Sequence, residues 1–174
     1  GTNVVLQANN DITVSSAITA SNGSGAGGDL TLQAGRSVLV NANITTDDGD
    51  LTLIANDLTS NGVVDAQRDS GAAVITLAAV IDTGTGAFTS TIRAGTGKTN
   101  LTSGDITLST VTAGSLVATN SGPTSGSDIL DTGVLTITGT SSFTTSVSNA
   151  VITLDSANAF TGAVALNTTG SSGN

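Results

Sequence analysis

The chain lacks the side chains on which most catalytic and metal sites depend. Its 174 residues contain no His, Cys, Met, Trp or Tyr, and all thirteen acidic residues are Asp. A Ser-His triad, a thiol nucleophile, a zinc site with the usual ligands and a disulfide framework are therefore excluded. We accordingly expect no enzyme activity, no cofactor, and no catalytic, cofactor-binding or metal-binding residues.

Positive charge and long apolar segments are also scarce. Four Lys and Arg residues stand against the thirteen Asp residues, and the net charge of −9 opposes binding to a nucleic-acid backbone. The longest apolar run, residues 72–81, is interrupted by Thr76 and is shorter than the ~18 residues of a membrane helix. We expect neither a nucleic-acid partner nor membrane insertion. The sequence shows no basic segment followed by an apolar one, as an export signal would. We therefore expect any export signal to lie outside this stretch, and the stretch to be a fragment of a longer protein.

What the chain has in abundance favours β-structure. It contains 31 Thr, 21 Ser and 22 Gly residues, whereas the good helix formers Glu, Lys and Gln are nearly absent. Hydrophobic residues make up 37% of the chain, which is too many for a disordered polar linker. The composition therefore predicts a folded all-β domain.

One short pattern, an apolar residue followed by Thr and a second apolar residue, returns seven times. Such alternation is the period of a strand with one buried face, so each Thr is predicted to point outward. In three cases the pattern follows a Gly-Asp pair, which suits a tight corner. The seven segments are Ile12-Thr13-Val14, Leu30-Thr31-Leu32, Leu51-Thr52-Leu53, Ile75-Thr76-Leu77, Ile106-Thr107-Leu108, Leu135-Thr136-Ile137 and Ile152-Thr153-Leu154.

The best-kept unit runs from Leu30 to Leu51. It holds three short apolar segments, around Leu30, Val38 and Ile44, before the cycle restarts. Three strands separated by corners describe one coil of a parallel β-solenoid. We predict a single solenoid over residues 1–174, with roughly eight coils and a length on the order of 40 Å at the strand spacing. Insertions are predicted at corners: Ser21–Gly28, Thr83–Gly86, Gly95–Lys98 and Ser121–Ser127.

Two further expectations concern the interior and the ends. Phe88, Phe143 and Phe160 are predicted to fill the core. Neither end of the sequence offers a helix, a Pro or a Lys that would cap a solenoid. The terminal coils are therefore expected either to continue in a longer chain or to associate end to end with another molecule.

The segment Gly28-Asp29-Leu30-Thr31-Leu32-Gln33-Ala34-Gly35-Arg36-Ser37-Val38, together with 49–55, resembles the repeats of filamentous haemagglutinin-type exoproteins. These are bacterial adhesins exported by a two-partner or autotransporter-like route. The stretch 143–166 is similar to degenerate repeats of the same proteins. The resemblance implies a right-handed parallel β-helix, an extracellular or cell-surface location, and a role as the shaft of an adhesin. The partners it implies are a receptor on a host or neighbouring cell, or extracellular matrix.

The polar clusters each have a simple structural interpretation. Asp47-Asp48-Gly49-Asp50 is interpreted as a corner rather than a calcium site, because the Gly-Gly-x-Gly-x-Asp pattern is absent. Arg36, Arg68, Arg93 and Lys98 are interpreted as solvated charges. The sequence contains four Asn-x-Ser/Thr sequons, which begin at Asn22, Asn43, Asn100 and Asn167. Composition alone would give about this number, so the sequons do not indicate glycosylation.

Two other classes of protein remain as alternatives to an adhesin shaft. A carbohydrate-active β-helix would need carboxylates and cations converging in a groove. An ice-binding solenoid would need two parallel columns of Thr on coils of even length, whereas the repeated pattern supplies one Thr per triad.

Overall fold

The computed structural model describes residues 1–58, 61–95 and 102–170. Within these ranges the chain forms nineteen strands, and every strand pairing is parallel. The one helical element in the described residues is a 3-10 turn at Asp65–Gln67. The predicted all-β parallel solenoid is confirmed.

The strands form three sheets that run the length of the molecule, and each turn of the chain contributes one strand to each sheet. Sheet A contains β1 (Val4–Ala8), β4 (Leu30–Ala34), β7 (Leu51–Ala55), β10 (Ala87–Ile92), β13 (Ser115–Asn120), β16 (Ser141–Thr145) and β19 (Val164–Thr168). Sheet B contains β2 (Ile12–Val14), β5 (Val38–Val40), β8 (Ala73–Leu77), β11 (Ser103–Leu108), β14 (Ile129–Asp131) and β17 (Ile152–Thr153). Sheet C contains β3 (Ile18–Thr19), β6 (Ile44–Thr45), β9 (Ile81–Asp82), β12 (Val111–Ala113), β15 (Leu135–Ile137) and β18 (Ala159–Phe160).

The described chain makes six complete turns followed by the seventh strand of sheet A. The expected eight coils are therefore wrong, and at ~4.8 Å per turn the stack is about 30 Å long rather than 40 Å. The seven triads do not count turns, because the third turn contains two of them, one in β7 and one in β8. They also lie on different sheets, so their Thr residues do not form one column.

The core follows from the alternation of inward and outward residues along each strand. In β4, Leu30, Leu32 and Ala34 are buried while Thr31 and Gln33 lie on the outer face. The same alternation recurs in the inner turns, as predicted. It weakens in the last turn, where Ile152 and Leu154 are only half-buried and pack at the edge of the core.

The prediction that the aromatic residues fill the core is confirmed for two of the three. Phe88 and Phe143 are fully buried on the inner face of sheet A. Phe160, in the last turn, is partly buried and meets Phe143 edge-on, with ring centroids 6.0 Å apart. Edge-to-face packing of this kind adds to the burial of the rings.

A column of glycines lines the corner between sheets C and A. A Cβ atom on Gly139 would lie 2.5 Å from the carbonyl oxygen of Gly114 in the preceding turn, and one on Gly49 would lie 2.6 Å from that of Gly28. Only a residue without a side chain allows consecutive turns to approach this closely. One glycine stands one or two positions before the sheet A strand in every turn after the first: Gly28, Gly49, Gly86, Gly114, Gly139 and Gly162.

Three predicted insertions are corners or loops between strands, and the fourth, Gly95–Lys98, lies mostly outside the described residues. The longest step was not predicted. It lies in the third turn, where 37 residues separate Asp50 from its counterpart Ala87, compared with 21 between Asp29 and Asp50. The extra length lies between β7 and β8, and its described residues, 56–58 and 61–72, are hereafter the strap.

The two end turns expose the inner faces of their strands. In β1, Val4 and Leu6 are 45% and 47% exposed, and in β19 Val164 and Leu166 are 41% and 59% exposed. The equivalent positions in the inner turns are buried. Within the described residues, the first and last strands of sheet A therefore leave apolar side chains of their inner faces open to solvent.

Candidate functional site

Aspartate side chains link one turn to the next at the corners. The Oδ1 atom of Asp29 accepts a hydrogen bond from the backbone N–H of Asp50 at 3.0 Å, and Asp50 Oδ1 accepts one from Ala87 at 2.8 Å. Asn3 performs the same role one turn earlier, with Asp29 N–H as donor at 3.1 Å. Asp29 and Asp50 thus occupy equivalent positions in successive turns, and each accepts a backbone hydrogen bond from the turn that follows.

A second ladder of the same kind stands where the chain enters sheet B. Asp105 accepts from the backbone N–H of Asp128 at 2.9 Å, and Asp128 accepts from that of Val151 at 2.8 Å. In the first turns Asp11 accepts from the N–H of Ser37 at 3.0 Å. A short carboxylate or amide therefore recurs at the corner before a strand, where it supplies an acceptor to a donor at the start of the next turn.

The acidic cluster is a corner, as interpreted from the sequence. Asp47 and Asp48 both adopt positive φ, at 52° and 66°. Asp47 Oδ2 accepts from Asn22 N–H at 2.9 Å and Asp48 Oδ1 from Thr85 N–H at 2.6 Å. The bond from Thr85 lowers the pKa of Asp48 below its ordinary value. Among the described residues no group of three acidic side chains is placed to hold a metal ion.

Each arginine lies in its own ion pair. Arg36 forms a bidentate pair with Asp11, with Nε–Oδ1 and Nη2–Oδ2 distances of 2.8 Å and 2.6 Å. Hydrogen bonding to the Arg36 guanidinium lowers the pKa of Asp11, and hydrogen bonding to the Asp11 carboxylate raises the pKa of Arg36. Arg93 pairs with the buried Asp57, with its Nε 2.8 Å from Oδ1. Arg68 is the third.

Arg68 is only 8% exposed and has Asp65 as its ion-pair partner, with Nε and Oδ1 3.8 Å apart. The interpretation of the arginines as solvated charges is therefore wrong for Arg68, which is buried, while Arg36 and Arg93 keep partial contact with solvent. Lys98 lies outside the described residues. All three arginines lie where the chain passes from sheet A to sheet B in successive turns, with Arg36 after β4, Arg68 in the strap and Arg93 after β10. Each is held by its own Asp partner.

The strap packs back over the first turn. Asn9 Oδ1 accepts from Val64 N–H at 2.8 Å, and its Nδ2 donates to Gln67 Oε1 at 2.5 Å. Asn10 Oδ1 accepts from Asp69 N–H at 2.5 Å. Arg36 adds a third anchor by donating to the carbonyl oxygen of Ser70 at 2.7 Å. The strap thus ties the third turn to the first and second.

The outer face of sheet A carries two columns of uncharged residues in continuous register. In each strand the two residues lie two positions apart, so that both point outward. The first column is Val5, Thr31, Thr52, Thr89, Val117, Ser142 and Ala165. The second is Gln7, Gln33, Ile54, Thr91, Thr119, Thr144 and Asn167. Two Thr residues share one strand of this face only in β10, and the other strands carry one Thr or none, close to the single outward Thr of each triad.

A shallow cavity and three buried hydroxyls are further features of the described residues. A shallow cavity of about 300 Å³ is lined by Leu58, Thr91, Arg93, Ala94, Gly95 and Ser121. Three buried hydroxyls have no hydrogen-bond partner and belong to inward-facing residues of sheet A: Ser90, Ser141 and Thr145. The part of the chain that the structure describes contains no helix long and apolar enough to cross a membrane.

The fold defines the chain as a repeat protein of the parallel β-solenoid class. Residues 96–167 match the model of a family described as "Repeats of unknown function (DUF5649)". This match covers the C-terminal turns, in which the sequence repeats are least regular. No curated protein matches the chain, and no solved structure does either.

Proposed function

We propose that the chain is a segment of the shaft of a bacterial surface or secreted adhesin, located outside the cell and without catalytic activity. The observation that supports this most is the continuous parallel register of three sheets over six turns. In such a stack each turn contacts only its neighbours, so that added turns add length. The resemblance of residues 28–55 to haemagglutinin-type repeats supports the same role.

The partners we propose are a receptor on a host or neighbouring cell, or extracellular matrix, and a further stack at each end. Backbone donors and acceptors on an edge strand pair readily with another strand. The apolar side chains exposed on β1 and β19, Leu6 and Leu166 among them, would be buried by the same contact. End-to-end association would therefore form a longer rod.

The alternative of a carbohydrate-active β-helix has less support. Such an enzyme places carboxylates a fixed distance apart across a cleft. Here the Asp side chains at the corners accept backbone hydrogen bonds, and the arginines at the corner between sheets A and B are each already paired with an Asp. Incubation of the chain with a panel of extracellular polysaccharides, with new reducing ends as the readout, separates the two proposals. Release of reducing ends would favour the enzyme.

Mechanical unfolding tests the shaft directly. If the chain is pulled between its termini, we expect it to unravel from the ends in steps of about one turn, because each turn is held by its neighbours. Turns of 21 and 37 residues, as between Asp29, Asp50 and Ala87, would add roughly 70 and 130 Å of contour length at ~3.5 Å per residue. Extension at negligible force, without steps, would contradict a load-bearing role.

A further inference from the structure

The outer face of sheet A presents a regular surface without formal charge on this acidic molecule. The fourteen residues of its two columns include no Asp, Lys or Arg, although the chain carries −9. Ile54 is 8% exposed, so the open part of the second column lies in the later turns. That open part of the face consists of Thr31, Thr52, Thr89, Val117 and Ser142 in the first column, and Thr91, Thr119 and Thr144 in the second.

These side chains form a two-dimensional array with fixed spacing. Neighbouring strands place equivalent residues ~4.8 Å apart along the stack, and residues i and i+2 of one strand are about 6.6 Å apart across it. Two strands put two hydroxyls on this face, β10 with Thr89 and Thr91 and β16 with Ser142 and Thr144, while β4, β7 and β13 each put one. Val117, at 40% exposed, has the shape of Thr with a methyl group in place of the hydroxyl. The array is therefore regular in shape as well as in spacing.

The chemistry of the face excludes most partners. It has no cation for a phosphate backbone, no aromatic ring on which a sugar could stack, and none of the Trp, Tyr or Arg residues that anchor protein interfaces. β-Branched side chains have few χ1 rotamers, so the face loses little conformational entropy on binding. Such a surface suits a rigid, uncharged, periodic partner that is met by many weak contacts at once.

We propose that this face binds ice. An ice surface is an ordered lattice of uncharged O–H groups with repeats of several ångströms, the same order as the two spacings of the array. The methyl groups and hydroxyls of Thr offer both parts of the contact: the methyls displace or order water, and the hydroxyls replace its hydrogen bonds. Turns of unequal length do not disturb the match, because the extra residues lie at corners and in the strap, and the register of sheet A is unbroken.

The test measures thermal hysteresis and the inhibition of ice recrystallisation by the whole chain. We expect the unmodified protein to shape growing ice crystals, and Thr89→Lys and Val117→Lys to abolish this, because each places a hydrated charge in the middle of the array. Thr136→Lys is the matched control, since Thr136 is an exposed outward residue of sheet C and the charge change is the same. Far-ultraviolet circular dichroism checks that each variant keeps its β-structure.

Three outcomes would overturn the proposal. The first is ice growth that the unmodified protein leaves unchanged. The second is an equal loss of activity in Thr136→Lys, which would remove the assignment to sheet A. The third is a protein without ice activity that sediments as a dimer and that Val117→Lys converts to a monomer. This result would show that the face pairs two copies of the chain.

Discussion

At the scale of single residues, two residue types let the turns stack. Glycine at the corner between sheets C and A allows the backbone of one turn to approach the carbonyl of the turn before it. Aspartate at the corners before sheets A and B supplies an acceptor to the following turn. Because the turns are only ~4.8 Å apart, a short side chain suffices, which is consistent with thirteen Asp residues and no Glu.

The glycine column is tested by comparing Gly139→Ala with Gly23→Ala. A Cβ on Gly139 would meet the carbonyl oxygen of Gly114 at 2.5 Å, so the backbone must shift. We expect the free energy of unfolding to fall by more than about 1 kcal/mol. A Cβ on Gly23 meets nothing within 4 Å, and this control should leave stability within about 0.5 kcal/mol. Denaturant unfolding measures both, and equal effects would refute the role given to the column.

The aspartate ladder is tested at Asp50. Asp50→Ala removes the acceptor for the N–H of Ala87 and should lower the free energy of unfolding by about 1 kcal/mol. Asp50→Asn keeps an acceptor oxygen, as Asn3 does in the same column, and should be close to the unmodified chain. Asp155→Ala, at an exposed site, controls for loss of charge. If the Asn variant lost as much as the Ala variant, charge rather than hydrogen bonding would be the cause.

The glycines of the corner between sheets C and A could not be picked out from the sequence alone. Each stands two positions before the first inward residue of a sheet A strand, as at Gly114-Ser115-Leu116. The same spacing occurs at strands of the other sheets, as at Gly104-Asp105-Ile106 in sheet B and Gly133-Val134-Leu135 in sheet C. The triads could not count the turns either, because outward Thr residues are favourable on every sheet of a solenoid, whatever the turn.

At the scale of elements, the alternation of residues fixed the faces of the strands. The prediction of three strands in residues 30–45 is confirmed by β4, β5 and β6. The strap was not predicted, because segment 56–72 has neither alternating residues nor a repeated motif. Its position depends on side chains of the first two turns, such as Asn9 and Arg36, that are distant in sequence.

The register of the strands is tested by Leu32→Asp and Thr31→Ser. Leu32 is fully buried among stacked aliphatic residues, so an unpaired carboxylate there should cost several kcal/mol. Thr31 lies on the outer face and its replacement by Ser should cost well under 1 kcal/mol. Thermal and denaturant unfolding give both values. Similar losses would mean that the register is shifted by one residue.

The strap is tested by Asn9→Ala. This change removes the hydrogen bonds to Val64 and Gln67 and should let the strap open locally before the solenoid unfolds. Arg68, 8% exposed, is then expected to be cut by trypsin faster than in the unmodified chain. Asn41→Ala, at an exposed corner outside the strap, is the control. Unchanged cleavage at Arg68 would show that these bonds do not hold the strap.

At the scale of the whole molecule, the sequence predicted the class of fold but not its dimensions. Three strands per turn and a continuous core were evident from the best-kept unit, while the number of turns depended on which sheet each triad joins. That assignment is set by pairing between residues 21 to 37 positions apart. A local pattern of period two is the same in all three sheets, so it carries no such information.

The six-turn stack underlies the proposed shaft, the ice-binding face and the ladders, and one distance tests it most directly. Thr13 in β2 and Thr153 in β17 lie on the outer face of sheet B, five strand pairings apart. The chain contains no Cys, so Thr13→Cys and Thr153→Cys allow two spin labels without other changes. Pulsed electron resonance should find their backbone attachment points about 24 Å apart, five times the ~4.8 Å strand spacing, after allowance for the linkers. A broad distribution, or a separation near twice that value, would contradict the solenoid described here.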